Sequence, residues 1–345
     1  MYNISLSSLC EFHHKLHLWY GAHGRHSLPW RNTRDAYAIY VSEVMLQQTQ
    51  VKTVLSRFYA PFLQAFPTLQ ALANAPQESV LKQWEGLGYY SRAANMHKAA
   101  QIAAPQLPGN VESLLMLPGI GQNTAHAIAA FAYNQPVPVM EANVKRVICR
   151  IFALTHPTDK QLWSYAFALL DSKQPFEYNQ AMMDVGAMLC TKRNPDCLAC
   201  PANTICSGKN ASGAYPATKT KKVIPIRTAK IIVWQDSEGK IMIQPRITDF
   251  LKGLYGFSEY PLDAENFYCD NVSYTMKDAV FLGNVNQTYS HFKMNAEVWR
   301  IFVKPNNEGQ WFDKNALQEI TLSGIDHKIA ALAFMPPDED KQTEF

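Results

Sequence analysis

Four cysteines crowd into seventeen residues with the spacing Cys190-x6-Cys197-x2-Cys200-x5-Cys206, whereas Cys10, Cys149 and Cys269 are scattered. In a chain without an export signal, such crowding points to metal ligation rather than to disulfides. A zinc site of this size usually draws on two separate close pairs, and here one CxxC sits inside a single compact loop. Four thiolates on a short loop can instead wrap a [4Fe–4S] cube, with zinc and free thiols as the other readings. Lys192, Arg193 and Lys209 flank the loop, either to meet phosphates or as ordinary surface charge. A second candidate is Glu43, which flanks an apolar helical face. A carboxylate held there has a raised pKa and can serve as a general acid near neutral pH; a solvated surface acid is the alternative. A third is the turn Leu117-Pro118-Gly119-Ile120-Gly121 before a helix from Gln122 to about Tyr133. The amides of Gly119, Gly121 and Gln122 at that helix N-terminus form a phosphate site, unless the turn is a plain connector.

These groups need scaffolds. A chain of 345 residues has room for two domains. Ahead of the cysteine loop the apolar spacing is helical throughout. Helices are expected at 10–20, from 36 to 62 with an interruption at the polar LQQTQ run, and at 68–75, 78–85, 92–104 and 111–117. After the hairpin pair come 144–152, 160–170 and 177–189. No strand is expected in this all-α first domain, residues 1–215, which the loop at 190–206 closes. Residues 216–228 form a Pro- and Lys-rich linker of extended character. Beyond it the pattern alternates, with strands expected at 230–235, 240–245, 281–285, 288–291 and 297–303 and helices near 314–320 and 328–334. That makes 229–335 an α+β domain, and the acidic tail 336–345 reads as disordered.

Charge is uneven. Residues 1–215 hold 17 Lys/Arg against 12 Asp/Glu, and the linker adds four basic residues up to Arg227; residues 228–345 hold 11 against 17. A basic front and hinge suit a polyanionic partner. No run of 18 apolar residues occurs, so no membrane partner is expected. The N-terminal segment lacks the order of a signal peptide, so a cytoplasmic location is expected, at the nucleoid if the cell is bacterial.

Taken together, the hairpin, the following acid Glu141 and the cysteine spacing resemble the helix-hairpin-helix DNA glycosylases with an iron–sulfur loop, of the endonuclease III type. Within that group the chain looks like the MutY adenine DNA glycosylases, nearly end to end. The matching segments are LPWR (28–31), VSEVMLQQTQV (41–51), GLGYYSRAANMHKAA (86–100), LPGIGQNTA (117–125), NVKR (143–146), NQAMMDVGAMLC (179–190) and the cysteine loop. Gln287-Thr288-Tyr289-Ser290-His291-Phe292 matches the family's lesion-recognition loop.

The resemblance implies removal of adenine mispaired with 8-oxoguanine or guanine in double-stranded DNA, after the adenine is flipped from the helix. It implies that Glu43 protonates the base and that a second carboxylate, Glu141, stands beneath an oxocarbenium-like sugar. Asn143 belongs to the same run. Gln48 and Tyr90 are expected as wedges in the vacated stack, with Trp30, Arg31, Gln180 and Asp184 around the adenine pocket. Ser290 and His291, with Tyr289, would meet the opposite base. Cys190, Cys197, Cys200 and Cys206 would carry a [4Fe–4S] cluster, the C-terminal domain would be Nudix-like, and the protein would act as a monomer. Bifunctional relatives carry a Lys where this chain has Asn123, which implies a monofunctional enzyme; Lys145 is expected near the site.

Two positions depart from the family pattern. Its Asp-Gly-Asn-Val run reads Glu141-Ala142-Asn143-Val144 here, which adds roughly 1.5 Å of reach and removes a glycine. Either the backbone is set back and excision works, or the protein binds its lesion and excises slowly. The family's Phe-Ser-His reads Tyr289-Ser290-His291. Residues 250–275 contain only Glu259 and Glu265, short of a Glu-rich hydrolase box, so a binding domain is expected. The enzymatic alternative is an endonuclease III-type glycosylase/lyase.

Overall fold

The computed structural model describes residues 4–217, 223–247, 250–305 and 309–335. The expected tail 336–345 and the linker lysines Lys219, Lys221 and Lys222 lie outside them. The described chain divides into two compact units, Met1–Ala75 with Asn95–Thr220, and Pro76–Ala94 with Lys221–Phe345. Thus a short piece of the helical sequence belongs with the C-terminal unit.

The helices in chain order are α1 (Leu6–His23), α2 (Ala36–Leu46), α3 (Val51–Arg57), α4 (Tyr59–Ala65), α5 (Leu69–Asn74), α6 (Gln77–Gln83), α7 (Ser91–Ala103) and α8 (Val111–Leu115). They continue as α9 (Gln122–Tyr133), α10 (Ala142–Ile151), α11 (Asp159–Leu169) and α12 (Pro175–Asp184). No strand occurs before residue 226 among the described residues. Many helices begin on a polar side chain that accepts from a first-turn amide, as Ser5, Asp35, Thr68, Asn110 and Thr158 do. α2 is apolar on nearly every side, burying Tyr37 to Ser42, Val44 and Met45, as a central helix must. α1, α10 and α12 share a core that includes Phe12, Leu16, Val147, Ile148, Ala181 and Met182.

The run from Ala36 is interrupted at Gln47–Gln50, as the polar LQQTQ run leads one to expect, and Gln48 there takes a left-handed backbone with φ 59° and exposes its side chain. One helix differs from the expectation. The expected helix 177–189 ends at Asp184 and continues as a π-helical turn, Val185–Leu189. Close approach accounts for part of this. A Cβ on Gly186 would lie 2.7 Å from Asn143 Cβ, so only glycine lets the turn reach α10.

In the second unit, β1 (Ile226–Gln235), β2 (Ile241–Pro245), β3 (Tyr255–Gly256), β4 (Ser258–Tyr260), β5 (Asn266–Cys269), β6 (Val272–Thr275), β7 (Ala279–Thr288), β8 (Lys293–Phe302) and β9 (Gln310–Phe312) precede α13 (Gly324–Ala333). The main sheet runs β3-β2-β1-β8-β7, with β4 on β1 and β9 on β2. β1 and β8 are parallel and in register from Ile226–Lys293 to Gln235–Phe302, and the other pairs are antiparallel. One face packs Ile231, Val233 and Val298 with Ile325 and Ile329 of α13; the other packs Ile232, Trp234 and Ile301 with Phe267 and Cys269 of the β5–β6 hairpin. The expected strand at 288–291 is instead the hairpin turn between β7 and β8, closed by the Tyr289 amide donating to the Phe292 carbonyl at 2.9 Å. Two residues separate the hydrophobic runs there, and turn closure overrides their β propensity. The expected helix at 314–320 shortens to one 3-10 turn, Ala316–Gln318.

Candidate active site

Glu43 lies on α2 and Glu141 is the N-cap of α10. Both are half-buried. Desolvation and, after it, the negative charge of Glu141 lift the Glu43 carboxyl from 4.5 to about 7 against the opposing Arg31 guanidinium. A proton donor poised at neutrality therefore stands beside a second carboxylate. Glu141 is held by its own helix, accepting from the Asn143 amide at 2.8 Å and the Val144 amide at 3.2 Å. Ala142 is the first helical residue, and it is not among the residues with positive φ. The missing glycine is therefore no obstacle, and the longer Glu turns back to cap the helix.

The strand-like approach to Glu141 is pinned from two sides. Asn123 accepts from the Met140 amide at 2.8 Å, and Asn179 accepts from the Val139 amide at 2.7 Å while donating to the Val137 and Pro175 carbonyls. Asn123 is thus a positioning residue, and Asn179, fully buried, was absent from the sequence-based set. Asn143 accepts from Arg146 at 2.9 Å, and Arg146 also donates to the Gly186 and Cys190 carbonyls. Lys145 reaches away to an exposed ion pair with Asp159 at 3.1 Å.

Of the expected pocket residues, Arg31 is the one whose charge is felt at Glu43. It holds Asp184 bidentately at 2.6 and 2.8 Å, and Arg25 adds its amide and Nε to the same carboxylate. Gln180 accepts from the Tyr20 hydroxyl at 2.6 Å, and Trp30 packs edge-on against Tyr59. Asp184, Gln180 and Trp30 are all buried, and Asp184 fixes the Arg31 guanidinium whose charge reaches Glu43. The hairpin places Gly119 at φ 75°, where a Cβ would meet that of Asn95 at 2.7 Å. Gly119, Gly121 and Gln122 are exposed, and no side chain caps α9.

The four cysteines line one cavity with Arg150, Pro195, Asp196, Asn203 and Lys209. Arg150 anchors it by donating to Cys190 Sγ at 3.3 Å and to the carbonyls of Cys190, Thr191 and Lys192. Burial, with the charges of Cys190, Cys206 and Cys197, pushes the Cys200 thiol up to about 12. Holding the four as thiolates there would take a cationic centre. Among the described residues no three His, Cys, Asp or Glu side chains converge as around one metal ion. The sulfurs surround a cavity, which suits a polynuclear group better than a single zinc.

In the second unit Tyr90 is buried and donates to the Leu322 carbonyl at 3.2 Å. Its neighbour Tyr89 is the exposed ring, on a left-handed backbone with φ 50°. Tyr90, expected as a wedge, is thus buried with its hydroxyl bonded, and Tyr89 is the tyrosine of the pair that faces solvent. Ser290 and His291 are exposed at the β7–β8 turn, Oγ and Nδ1 2.8 Å apart. The Tyr289 hydroxyl shares a hydrogen bond with Ser323, and its ring packs edge-on to Phe250.

This geometry meets known proteins at several points. Residues 41–166, which contain both acids and the hairpin, match the HhH-GPD superfamily base excision DNA repair protein family. The chain is 31% identical over 327 residues to an adenine DNA glycosylase of Buchnera aphidicola subsp. Baizongia pistaciae, covering 88% of this chain and 91% of that protein. The chain belongs to the adenine DNA glycosylase family. It is also 40% identical over 222 residues to the human adenine DNA glycosylase, spanning 59% of this chain and 40% of that one. Among solved structures, a thermostable thymine-DNA glycosylase superposes with a TM-score of 0.54 at 26% identity, covering 59% of this chain and 96% of that one. The shared part is thus the helical fold, and the sheet-containing unit is additional.

Proposed function

We propose that the chain excises adenine mispaired with 8-oxoguanine or guanine from double-stranded DNA, as a monomeric, monofunctional glycosylase of base excision repair. The observation that carries this reading is the carboxylate pair, with Glu43 raised to about 7 beside a helix-capped Glu141. The adenine leaves the stack, at a cost of a few kcal/mol, and enters the site. Glu43 gives its proton to a ring nitrogen, and the C1′–N bond breaks with its electron pair moving to the base. Glu141 balances the positive charge left on the sugar; water then adds to C1′, losing a proton, to leave adenine and an abasic site. Asn123, Asn143 and Arg31 position the two acids.

Gln48, exposed on left-handed backbone in the helical unit, fills the space that the base leaves; in the second unit Tyr89 is exposed on the same kind of backbone, which suits a ring that enters the base stack. The amides of Gly119, Gly121 and Gln122 take a backbone phosphate. Ser290 and His291 read the opposite base. The mixed sheet with α13 on one face supports a Nudix-like reading of the C-terminal unit. Its other face carries the β5–β6 hairpin rather than an acidic helix, in keeping with a binding role. Cys190, Cys197, Cys200 and Cys206 would hold a [4Fe–4S] cluster, which supplies positive charge and a cross-link for the loop. No described helix is long and apolar enough to cross a membrane.

A single-turnover assay on a duplex with one adenine opposite 8-oxoguanine tests this. Strand scission only after alkali is expected, since Asn123 offers no amine and Lys145 is paired with Asp159. Scission without alkali would indicate a glycosylase/lyase. Binding without scission would make the protein a lesion binder, and recovery of about 100-fold in rate by Glu141→Asp would then locate the fault at the longer side chain.

A further inference from the structure

Residues 321–323, just ahead of α13, are gripped from two directions within the second unit. On one side is the piece Pro76–Ala94. Glu85 Oε1 accepts from the Leu322 amide at 3.1 Å and lies 2.7 Å from His327 Nε2, while Lys82 bridges Glu85 Oε2 and the Ile320 carbonyl. Tyr90 donates to the Leu322 carbonyl. On the other side the Tyr289 hydroxyl meets Ser323, the N-cap of α13, whose Oγ donates to the buried Asp326 at 2.5 Å. The strip itself is fixed to β3, where the Tyr255 amide donates to the Thr321 carbonyl at 3.1 Å.

The turn below Tyr90 is equally tied. Trp84 Nε1 donates to the Gly88 carbonyl, Arg92 donates to the Leu87 and Gly88 carbonyls, and the Gly86 amide points at the Tyr90 hydroxyl. An unbroken series of bonded groups therefore runs from Tyr289 through Ser323, Leu322 and Tyr90 to the turn that displays Tyr89. Burial pushes the Glu85 carboxyl up, but His327, Lys82 and the Leu322 amide outweigh it and hold it below its ordinary range. The clasp is thus a charged, part-buried joint rather than loose surface contact.

We infer that residues 321–323 are a strut coupling the loop 289–291 to the Tyr89 turn, and that Glu85, Tyr90 and the Tyr289 hydroxyl are positioning residues for discrimination of the opposite base. The inference rests on the proposed reading of loop 289–291 as the part that meets that base. If the loop and the turn move as one body, a misfit at Ser290 also withdraws Tyr89 from the stack. One contact then affects two, and discrimination exceeds what the loop alone provides.

The test compares an adenine opposite 8-oxoguanine with an adenine opposite guanine in the full chain. Both the ratio of single-turnover rates and the ratio of dissociation constants are read. Tyr90→Phe and Tyr289→Phe each remove one hydroxyl and keep the ring, and each should lower the ratios by about 2- to 10-fold. The double variant should lose less than the product of the two, since both cut the same series. Glu85→Ala should match or exceed either, and Glu85→Gln should recover part. Unchanged ratios in the variants, or losses that multiply, overturn the strut. If no adenine is released from either duplex, the proposed activity fails by itself, and the ratio of dissociation constants still decides the coupling.

Discussion

Glu43 and Asp184 are acids of the same helical unit, both are desolvated, and both feel the guanidinium of Arg31. They end on opposite sides of their ordinary range. At Asp184, burial pushes the carboxyl up, but two hydrogen bonds from Arg31 and two from Arg25 more than reverse it, and the group is held low. At Glu43, burial acts with a neighbouring carboxylate, while Arg31 acts only through its charge. Arg31 can serve one acid fully, and it serves Asp184. Burial by itself does not decide a carboxyl's role; the allocation of donors does. The same cation thus makes one acid a fastener and leaves the other able to hold its proton near neutrality.

The comparison breaks most visibly at Glu43. Glu43→Gln removes the proton source, and the single-turnover rate should fall by roughly 10²–10⁴-fold with mispair binding retained in a gel-shift assay. The same change should raise the melting temperature above pH 7. An acid whose folded pKa is raised from 4.5 to about 7 binds more protons folded than unfolded across that interval, so stability falls as pH rises through it. A melting temperature unchanged at pH 8 would count against the raised pKa.

Next in size is Asp184→Asn, which leaves Arg31 buried without its counter-charge. A loss of about 3–5 kcal/mol in urea unfolding is expected. Because the Asp184 pKa is lowered, its stabilisation is present above its ordinary value of 3.8 and disappears as pH falls through the lowered one. The variant should accordingly flatten the acid limb of the wild-type stability curve. A curve with the same acid limb would show that the fastener is elsewhere.

The smallest effect sharpens the contrast. The wild-type excision rate should hold steady below pH 7 and decline as pH rises past it, since Glu43 must carry its proton. In Glu141→Gln the neighbouring charge is gone, so Glu43 should titrate at lower pH. Carbon-13 labelled glutamate reports this without relying on activity. A Glu43 resonance titrating at the same pH in both forms would remove Glu141 from the pair.

Much of this site is legible before folding. Glu43 sits in a helix too apolar for solvent, Asn123 stands where an amine would change the chemistry, and the cysteine spacing confines four thiols to one loop. What remained illegible has a common character. Nothing local distinguishes Tyr89 from Tyr90 in Gly-Leu-Gly-Tyr-Tyr; the distinction comes from Leu322, some 230 residues away in sequence. Arg25 and Arg31 occupy both oxygens of Asp184, and they come from more than 150 residues away in sequence. The helix expected to reach residue 189 ends in a π turn, in which Gly186 lies so close to Asn143 that no Cβ fits.

The sequence by itself determined the helical class of the first unit, the Pro-Gly hairpin turn, the four-cysteine loop and the position of both acids, because each depends on residue types at short spacing. Only the tertiary structure decided which acid keeps its proton, how a Glu replaces an Asp as the cap of α10, and which tyrosine faces outward. Those outcomes follow from donors, charges and desolvation that distant segments bring together, and no short stretch of chain contains them.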